Sequence, residues 1–475
     1  MTGLVQAGAI VGAVGLATLV VAPVCRLRLG GLAALAAGCG ALAASLSPGG
    51  NLALYPVALA VAVALAWLFV RVPPSLALVA LAALPFRFDV SVDGADVSLP
   101  LPLYVVVAAA GVAFAWQLAR GDGRARELGV LGWPLALLVV WTGVSLAWSG
   151  DERQGAILLL CFVLPFGFLA VALARLPWSE DWAAVLYVEV AAIALVLAGI
   201  GGWEYLTRDI VWSPNELAAA ARAPAGWFYR VDPAFDDASI YGRFLVVAIV
   251  AGLVVVLLRR GRIALVAGTV AAVTWVGLLP SFSQASFAAF AAASAVVLVA
   301  AWWRRAALAA AVVVCFVLGA AITVEVIRNP DIATAVGARS QLVSNAVDLA
   351  VDRPVGGVGA GGFAHAYAQR LESARPPGDR AARNAPVTVA AELGVVGFAL
   401  FAWLAAAGLV VAFGGDRAAS RLAPAAALVA ILVHSLLYDA LFQDAMFWGL
   451  LGLVAATARA SSTPAALTGR PRVAR

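Results

Sequence analysis

The chain contains no lysine, and only 12% of its 475 residues are charged. Soluble globular domains are about a quarter charged and about half apolar, whereas this chain is 64% hydrophobic. A water-soluble core cannot bury that excess, but a bilayer can solvate it on the outside of a helical bundle. The composition therefore excludes an ordinary soluble protein and predicts a polytopic membrane protein.

Cysteine and histidine are also scarce, with four and two residues. Cys25, Cys39, Cys161 and Cys315 lie in or beside apolar runs without metal-ligand spacing, so we predict buried thiols and no disulfide framework. The basic residues are all arginines scattered between apolar runs, which argues against a nucleic-acid surface despite a net charge of +5. No metal or cofactor site is predicted.

Apolar runs of roughly 20 residues predict membrane spans. The candidates are 4–24, 29–47, 52–71, 74–86, 101–119, 130–148, 154–174, 182–202, 239–258, 263–280, 284–302, 306–326, 387–413, 421–440 and 443–459. The run 74–86 is too short for a regular span. We predict an all-α transmembrane bundle of about twelve to fifteen spans, with a large extracytoplasmic loop that contains short helices.

Arginine-rich short loops alternate along the chain with loops that carry almost no arginine, which predicts that the arginine-rich side is cytoplasmic. Two long loops, 203–238 and 327–386, then lie outside. The alternating segment Phe86–Leu99 predicts a small hairpin on the same surface. We divide the chain into N-terminal helices (1–202), a core with both loops (203–460) and a disordered cytoplasmic tail (461–475).

The first long loop leads into an apolar helix that Asp237 or Ser239 is suited to cap. Arg230 and Arg243 flank the entry to this helix. They are either arginines that reach to the membrane interface or an anion site, because a guanidinium can hold a phosphate through two parallel hydrogen bonds.

The second long loop contains an amphipathic helix over 339–350, with Leu342 and Ala346 on its apolar face and Asp348 opposite. A glycine run follows at 356–362. It matches the dinucleotide fingerprint literally, but no strand precedes it, so we predict a flexible turn that lets backbone approach a ligand.

Two ionisable residues of this region are candidate bases. His365 follows the glycine run, whereas the second histidine, His434, lies in an apolar run and is expected to be hydrogen-bonded inside the bundle. Asn384, Thr388 and Glu392 have helical spacing and share one face of the next helix. An ionisable residue inside a span is costly, which makes Glu392 a functional candidate.

Several segments in this order resemble the O-antigen ligase and O-antigen polymerase superfamily of bacterial membrane proteins. They are the Arg230 segment before Asp237-Ala238-Ser239-Ile240-Tyr241-Gly242-Arg243-Phe244-Leu245, Ser281-Phe282-Ser283-Gln284, Arg339 before the amphipathic helix, the glycine run after Pro354, Glu392-Leu393-Gly394, and His434-Ser435 followed by acidic residues and Trp448. The resemblance covers most of the chain and is most specific over 228–460.

The resemblance implies metal-independent glycan transfer on the extracytoplasmic face of the cell membrane. The implied donor is a polyprenyl-diphosphate-linked glycan, and the acceptor is a lipid, a protein or a growing glycan in envelope polysaccharide synthesis. Arg230 and Arg339 would hold the donor diphosphate. To these we add Arg243, Tyr241 and Asn384 as substrate-binding candidates.

The chain departs from the family at the position of the usual general base. Arg383 stands directly before Asn384, where family members have histidine, and arginine cannot accept a proton near neutral pH. Glu392, His365 or Asp237 would then act as the base, or Arg383 would bind donor phosphate while the acceptor needs little activation. Otherwise the protein binds glycan without transferring it. A polysaccharide or lipid transporter is the alternative from another class.

Overall fold

The computed structural model describes residues 2–46, 54–92, 95–208, 231, 235, 237–302, 338–371, 384–414 and 418–462. The first nine helices are α1 (Thr2–Val21), α2 (Cys25–Leu46), α3 (Leu54–Arg71), α4 (Ser75–Ala83), α5 (Leu101–Ala119), α6 (Gly132–Ser145), α7 (Glu152–Leu158), α8 (Leu164–Ala174) and α9 (Glu180–Thr207). The remaining helices are α10 (Ala238–Leu258), α11 (Arg262–Leu278), α12 (Gln284–Trp302), α13 (Ala338–Asp352), α14 (Phe363–Arg370), α15 (Ala385–Phe413), α16 (Ala419–Ser435) and α17 (Ala445–Ser462).

Nine helical stretches of the described residues are long and apolar enough to cross a membrane, and four shorter apolar helices accompany them. The prediction of an all-α polytopic bundle is confirmed. The run 74–86 forms only the nine-residue helix α4. The predicted span at 306–326 lies outside the described residues, as does most of the tail.

Large apolar side chains on the outer helices are exposed. Val188 of α9 is 63% exposed and Leu265 of α11 is 70% exposed. In water, such surfaces would drive aggregation, but lipid tails solvate them. The bundle therefore presents an apolar outer surface, as the composition predicts.

The helices α1 and α2 pack at close range through glycines. A Cβ atom on Gly15 would lie 2.4 Å from the Leu35 amide nitrogen, and one on Gly38 would lie 2.3 Å from the Gly12 nitrogen. Small residues at such crossings let two helix backbones approach where lipid offers no hydrophobic driving force. This pair anchors the N-terminal part of the bundle.

Several arginine-rich loops meet at one end of the bundle, called here the arginine-rich end. Arg28 at the start of α2 and Arg175 after α8 both bind Glu127, each with an N–O distance of 2.6 Å. Arg259 after α10 contacts Glu180 at the start of α9 at 3.4 Å. The helix ends and loops that the charge pattern places on one side of the membrane therefore lie together in the structure.

The predicted hairpin is present as strands β1 (Phe88–Val92) and β2 (Ala95–Leu99), which pair antiparallel with Val90 opposite Val97. The predicted amphipathic helix is α13, which buries Leu342 and Ala346 and leaves Asp348 exposed. Helices α13 and α14 lie within the loop 327–386, so the prediction of short helices in this loop is confirmed.

Candidate functional site

Helix α15 is broken in its third turn, at Gly394. This residue has φ 67° and ψ −169° inside an otherwise helical segment. Only glycine adopts that conformation readily, because a side chain would clash with its own backbone. A Cβ atom here would also lie 2.2 Å from the Val355 carbonyl oxygen. The break turns the motif Glu392-Leu393-Gly394 into a junction between two helices.

The carbonyl groups freed by the break are bonded by other parts of the protein. The Val358 and Gly359 amides donate to the oxygens of Ala391 and Glu392 at 2.9 and 2.8 Å. The Trp141 indole donates to the Leu393 oxygen at 2.9 Å. Because unsatisfied backbone groups are costly inside a membrane protein, these bonds make the broken helix tolerable.

The glycine run docks onto the corner between α6 and α7. The Ala360 amide donates to Ser145 Oγ at 3.1 Å, and Ser149 Oγ donates to the Ala360 oxygen at 2.9 Å. Gly359 has φ 90°, and a Cβ atom there would lie 2.4 Å from Ser149 Cα. The sequence predicts that the backbone of this run approaches a ligand, whereas in the structure it approaches the backbone of Ser149.

Glu392 is buried beneath the start of α14. Its side chain is 8% exposed, and Oε1 accepts a hydrogen bond from the Phe363 amide at 3.3 Å. The Gly361 amide also bonds this carboxyl group, and Asp439 and Asp151 are its acidic neighbours. Glu392 therefore links the glycine run to the broken helix.

On the predicted shared face, Asn384 and Thr388 bind the segment 436–444 between α16 and α17, whereas Glu392 binds the glycine run and the start of α14. Asn384 caps α15 by accepting from the Val387 amide, and its Nδ2 donates to the Leu436 oxygen at 2.8 Å. Thr388 hydrogen-bonds the Asp439 side chain. The spacing therefore identified a real cluster, but it did not identify its partner, Asp439.

Asp439 is partly buried, and its Oδ2 atom is buried without a hydrogen-bond partner among the described residues. Burial raises the pKa of Asp439 to about 6, although the Thr388 hydrogen bond opposes the shift. Since the folded pKa exceeds the ordinary value of 3.8, the protonated carboxyl stabilises the fold. This contribution is fully present below about pH 4 and is lost as the pH rises through about 6.

We expect Asp439→Asn to remove this pH dependence. From pH 4 to pH 7 the wild-type protein should lose about 1–2 kcal/mol that the variant keeps, after allowance for partial exposure. Thermal unfolding in detergent at a series of pH values measures the difference. Parallel pH profiles for the two proteins would contradict the assignment. Asp181→Asn, at the opposite end of the bundle, controls for the loss of one carboxyl group.

Asp237 caps α10, as predicted, and is tied to the same segment. Its Oδ1 accepts from the Ser239 amide at 2.6 Å, and its Oδ2 accepts from the Tyr438 hydroxyl at 2.7 Å. Burial and the charge of Asp237 raise the pKa of Tyr438. His434 is fully buried and hydrogen-bonds the Ser239 oxygen at 3.1 Å, as its apolar surroundings predict.

Arg243 lies 2% exposed in α10 and faces Asp444, with 3.3 Å between Nε and Oδ2. Arg87, just before β1, lines a small cavity together with Arg243 and Asp444. Neither Arg87 nor Asp444 is predicted as a site residue from the sequence. The available signal was an arginine between two phenylalanines, Phe86 and Phe88, at the start of the hairpin.

Of the other predicted site residues, two have described side chains and three do not. Tyr241 is fully buried and donates to the Gly277 oxygen at 2.8 Å, so it joins α10 to α11. His365 lies in α14, with 2.8 Å between its Nε2 and the Gln369 Nε2. Arg230 and Arg383 lie outside the described residues, and Arg339 is described only as part of the backbone of α13. The catalytic and substrate-binding roles of all of these residues stay predictions.

Residues 269–402 match the family model for O-antigen ligase. The match supports an O-antigen ligase family assignment for this segment. The segment contains α13, the glycine run, Glu392 and the break at Gly394, so the O-antigen ligase segment includes the helix junction described above. The family supports glycan transfer of the ligase or polymerase type. The chain matches no curated protein.

Proposed function

We propose that the protein transfers a glycan from a polyprenyl-diphosphate donor to a lipid, protein or glycan acceptor in the cell envelope. The observation that carries the proposal is the O-antigen ligase segment, whose helix junction adjoins a cluster of buried charged groups. That cluster lies among the N-terminal ends of α10, α14, α15 and α17. A site to which both long loops contribute requires this position.

The reacting face is the extracytoplasmic one in this proposal. Arg28, Arg175 and Arg259 lie near the short loops of the arginine-rich end. By the charge rule for short loops, that end faces the cytoplasm. The junction at Gly394 then faces the opposite compartment, because α15 runs from it to the short loop at 414–418.

The proposed step is a displacement at the anomeric carbon of the donor. The acceptor hydroxyl oxygen forms the new glycosidic bond, and the bond from the anomeric carbon to the diphosphate oxygen breaks. The diphosphate leaves with the electron pair, and the hydroxyl proton passes to a base. Arg230 and Arg339 are proposed to neutralise the leaving diphosphate, since preorganised cations stabilise charge as it develops.

Arg383 replaces the usual family histidine, so the base must come from elsewhere. Glu392, His365 and Asp237 are the proposed candidates. Glu392 accepts backbone hydrogen bonds from Gly361 in the glycine run and from Phe363 in α14, and Asp237 accepts from Tyr438, so each is already partly engaged. His365 contacts a single polar side chain, that of Gln369, among the hydrogen bonds described. This favours His365 for the proton transfer, with Glu392 and Asp237 as positioning groups.

A secondary transporter is the weaker alternative. Transporters use broken helices whose free carbonyls bind ions near the membrane midplane. The carbonyls freed at the junction of α15 accept instead from Val358, Gly359 and Trp141. Carbonyls that are bonded within the protein are poorly placed to hold a transported ion.

The test is transfer by the purified full-length protein in liposomes that contain a polyprenyl-diphosphate glycan and candidate acceptors. We expect Arg230→Ala and Arg339→Ala each to lower the initial rate by about tenfold to a hundredfold. Arg260→Ala, at the exposed arginine-rich end, should leave it unchanged. The absence of product with the wild-type protein, while it still retains the donor, would favour a glycan-binding protein and overturn the enzymatic proposal.

A further inference from the structure

A small cavity lies between the stem of the hairpin and the helices α10 and α17. It has room for about 20 Å³, enough for a single water-sized group. Arg87 and Arg243 line it together with one carboxylate, Asp444. The apolar part of its wall includes Leu84, Pro100, Ile240 and Phe244. A buried apolar cavity that contains two guanidinium groups is suited to an anionic group.

The hydrogen bonding of Arg243 is incomplete. Its side chain is 3% exposed, and Nη1 is buried without a hydrogen-bond partner among the described residues. Asp444 Oδ2 lies 3.3 Å from Nε, yet it also lacks a hydrogen bond within the described chain. A buried charged donor left unsatisfied is costly, so an oxygen acceptor at Nη1 would stabilise the protein.

Asp444 balances only part of this positive charge. Its other oxygen, Oδ1, accepts from the Met446 amide at 3.0 Å at the start of α17. Arg87 adds a second guanidinium, whose pKa is lowered first by burial, whereas the charge of Asp444 raises it. Among the described residues that line the cavity, one carboxylate therefore faces two arginines. Asp237 is engaged elsewhere, because it accepts from the Tyr438 hydroxyl and caps α10.

The residues next to Arg87 face outward. Phe86 is 49% exposed and Phe88 is 36% exposed, and Leu101 at the start of α5 is 40% exposed. In a membrane bundle, exposed aromatic and aliphatic side chains at helix ends contact lipid. An anion carried by a lipid would therefore reach this cavity from the bilayer side.

We propose that Arg87 and Arg243 bind a phosphoryl oxygen of a lipid-borne phosphate, which accepts a hydrogen bond from Nη1 of Arg243. The size of the cavity admits one such oxygen while the rest of the headgroup stays at the mouth. Asp444 competes with this oxygen for Arg243. Two lipid phosphates fit this description, the donor diphosphate and the phosphate of an anionic phospholipid. The first of them rests on the proposed function.

The experiment measures lipid binding without turnover. Full-length protein is reconstituted in phosphatidylcholine nanodiscs that contain a low fraction of polyprenyl diphosphate, phosphatidylglycerol or uncharged polyprenol. Native mass spectrometry of the released protein then counts the lipids retained. We expect the wild-type protein to retain one phosphate-bearing lipid and not the polyprenol. Preference for polyprenyl diphosphate or for phosphatidylglycerol identifies the source, and equal retention of polyprenol would overturn the proposal.

Two variants should weaken retention and one should strengthen it. Arg243→Gln and the partly exposed Arg87→Gln should each weaken it at least about tenfold, as expected for a lost charge-assisted hydrogen bond. Asp444→Asn should strengthen it, because asparagine removes the competing charge but keeps an acceptor for the Met446 amide. Arg259→Gln removes one exposed arginine from the opposite end and should change nothing.

The outcomes separate this inference from the proposed function. Unchanged retention in Arg87→Gln, or weaker retention in Asp444→Asn, would overturn the site even if glycan transfer is observed. Specific retention that depends on both arginines, in a protein that transfers no glycan, would support the site and contradict the enzymatic proposal. Because Arg87 is only partly buried, its variant tests binding even if Arg243→Gln folds poorly.

Discussion

Replacing Glu127 with glutamine should destabilise the protein by about 3–5 kcal/mol. Glu127 is 1% exposed and joins two buried arginines, with 2.6 Å from Oε2 to Arg28 and from Oε1 to Arg175. Glutamine keeps the shape of the side chain but removes the negative charge. Arg28 would then be buried without its carboxylate partner, and Arg175 would keep only Asp122, at 2.6 Å. Removing one partner from a buried ion pair is costly because it leaves the other charge uncompensated.

Thermal unfolding of the purified protein in detergent measures this effect, and the yield of folded protein reports it independently. Glu180→Gln is the matched control, because Glu180 and Arg259 form an ion pair in which both side chains are 52% exposed. Exposed pairs contribute less than about 1 kcal/mol. A loss from Glu127→Gln no larger than that from Glu180→Gln would show that Arg28 and Arg175 are compensated by other groups.

Replacing Gly394 with alanine should cost about 3 kcal/mol or more. The backbone of Gly394 has φ 67° and ψ −169°, which an L-residue adopts only under strain. The added Cβ would also lie 2.2 Å from the Val355 oxygen, so the loop before the glycine run must shift. Because the Val395 amide donates to the Pro354 oxygen at 2.7 Å, that shift would separate the junction from the loop.

We expect Gly394→Ala to lower the unfolding temperature and to abolish glycan transfer, since Glu392 and its bond to Phe363 would move with the junction. Gly199→Ala in α9 is the control, because no atom lies within 4 Å of the added Cβ. Alanine inside a regular helix should leave stability unchanged or raise it by up to about 1 kcal/mol. A Gly394→Ala protein with wild-type stability would contradict the assigned backbone conformation.

The candidate site was only partly predictable. The spacing of Asn384, Thr388 and Glu392 placed them on one face, and hydrogen bonds from Asn384 and Thr388 reach the segment 436–444. The cap at Asp237 was predictable because capping depends on residues adjacent in sequence. Arg87 was missed, because its neighbours Arg243 and Asp444 are far away along the chain.

The sequence by itself determined the class of the protein. Long apolar runs force α-helices in a bilayer, since each helix satisfies its own backbone hydrogen bonds. The same local rules predicted the hairpin at Phe86–Leu99, the amphipathic helix α13 and the gathering of arginine-rich loops at one end.

The tertiary structure decided what the polar groups do. Trp148 donates to the Gly356 oxygen across 208 positions of sequence, and Asn384 reaches Leu436 across 52. Periodicity reports which face of a helix is apolar, but not which neighbour covers that face. The break at Gly394, the Glu127 ion pairs and the cavity between Arg87 and Arg243 depend on such distant contacts, and only the packed bundle brings their members together.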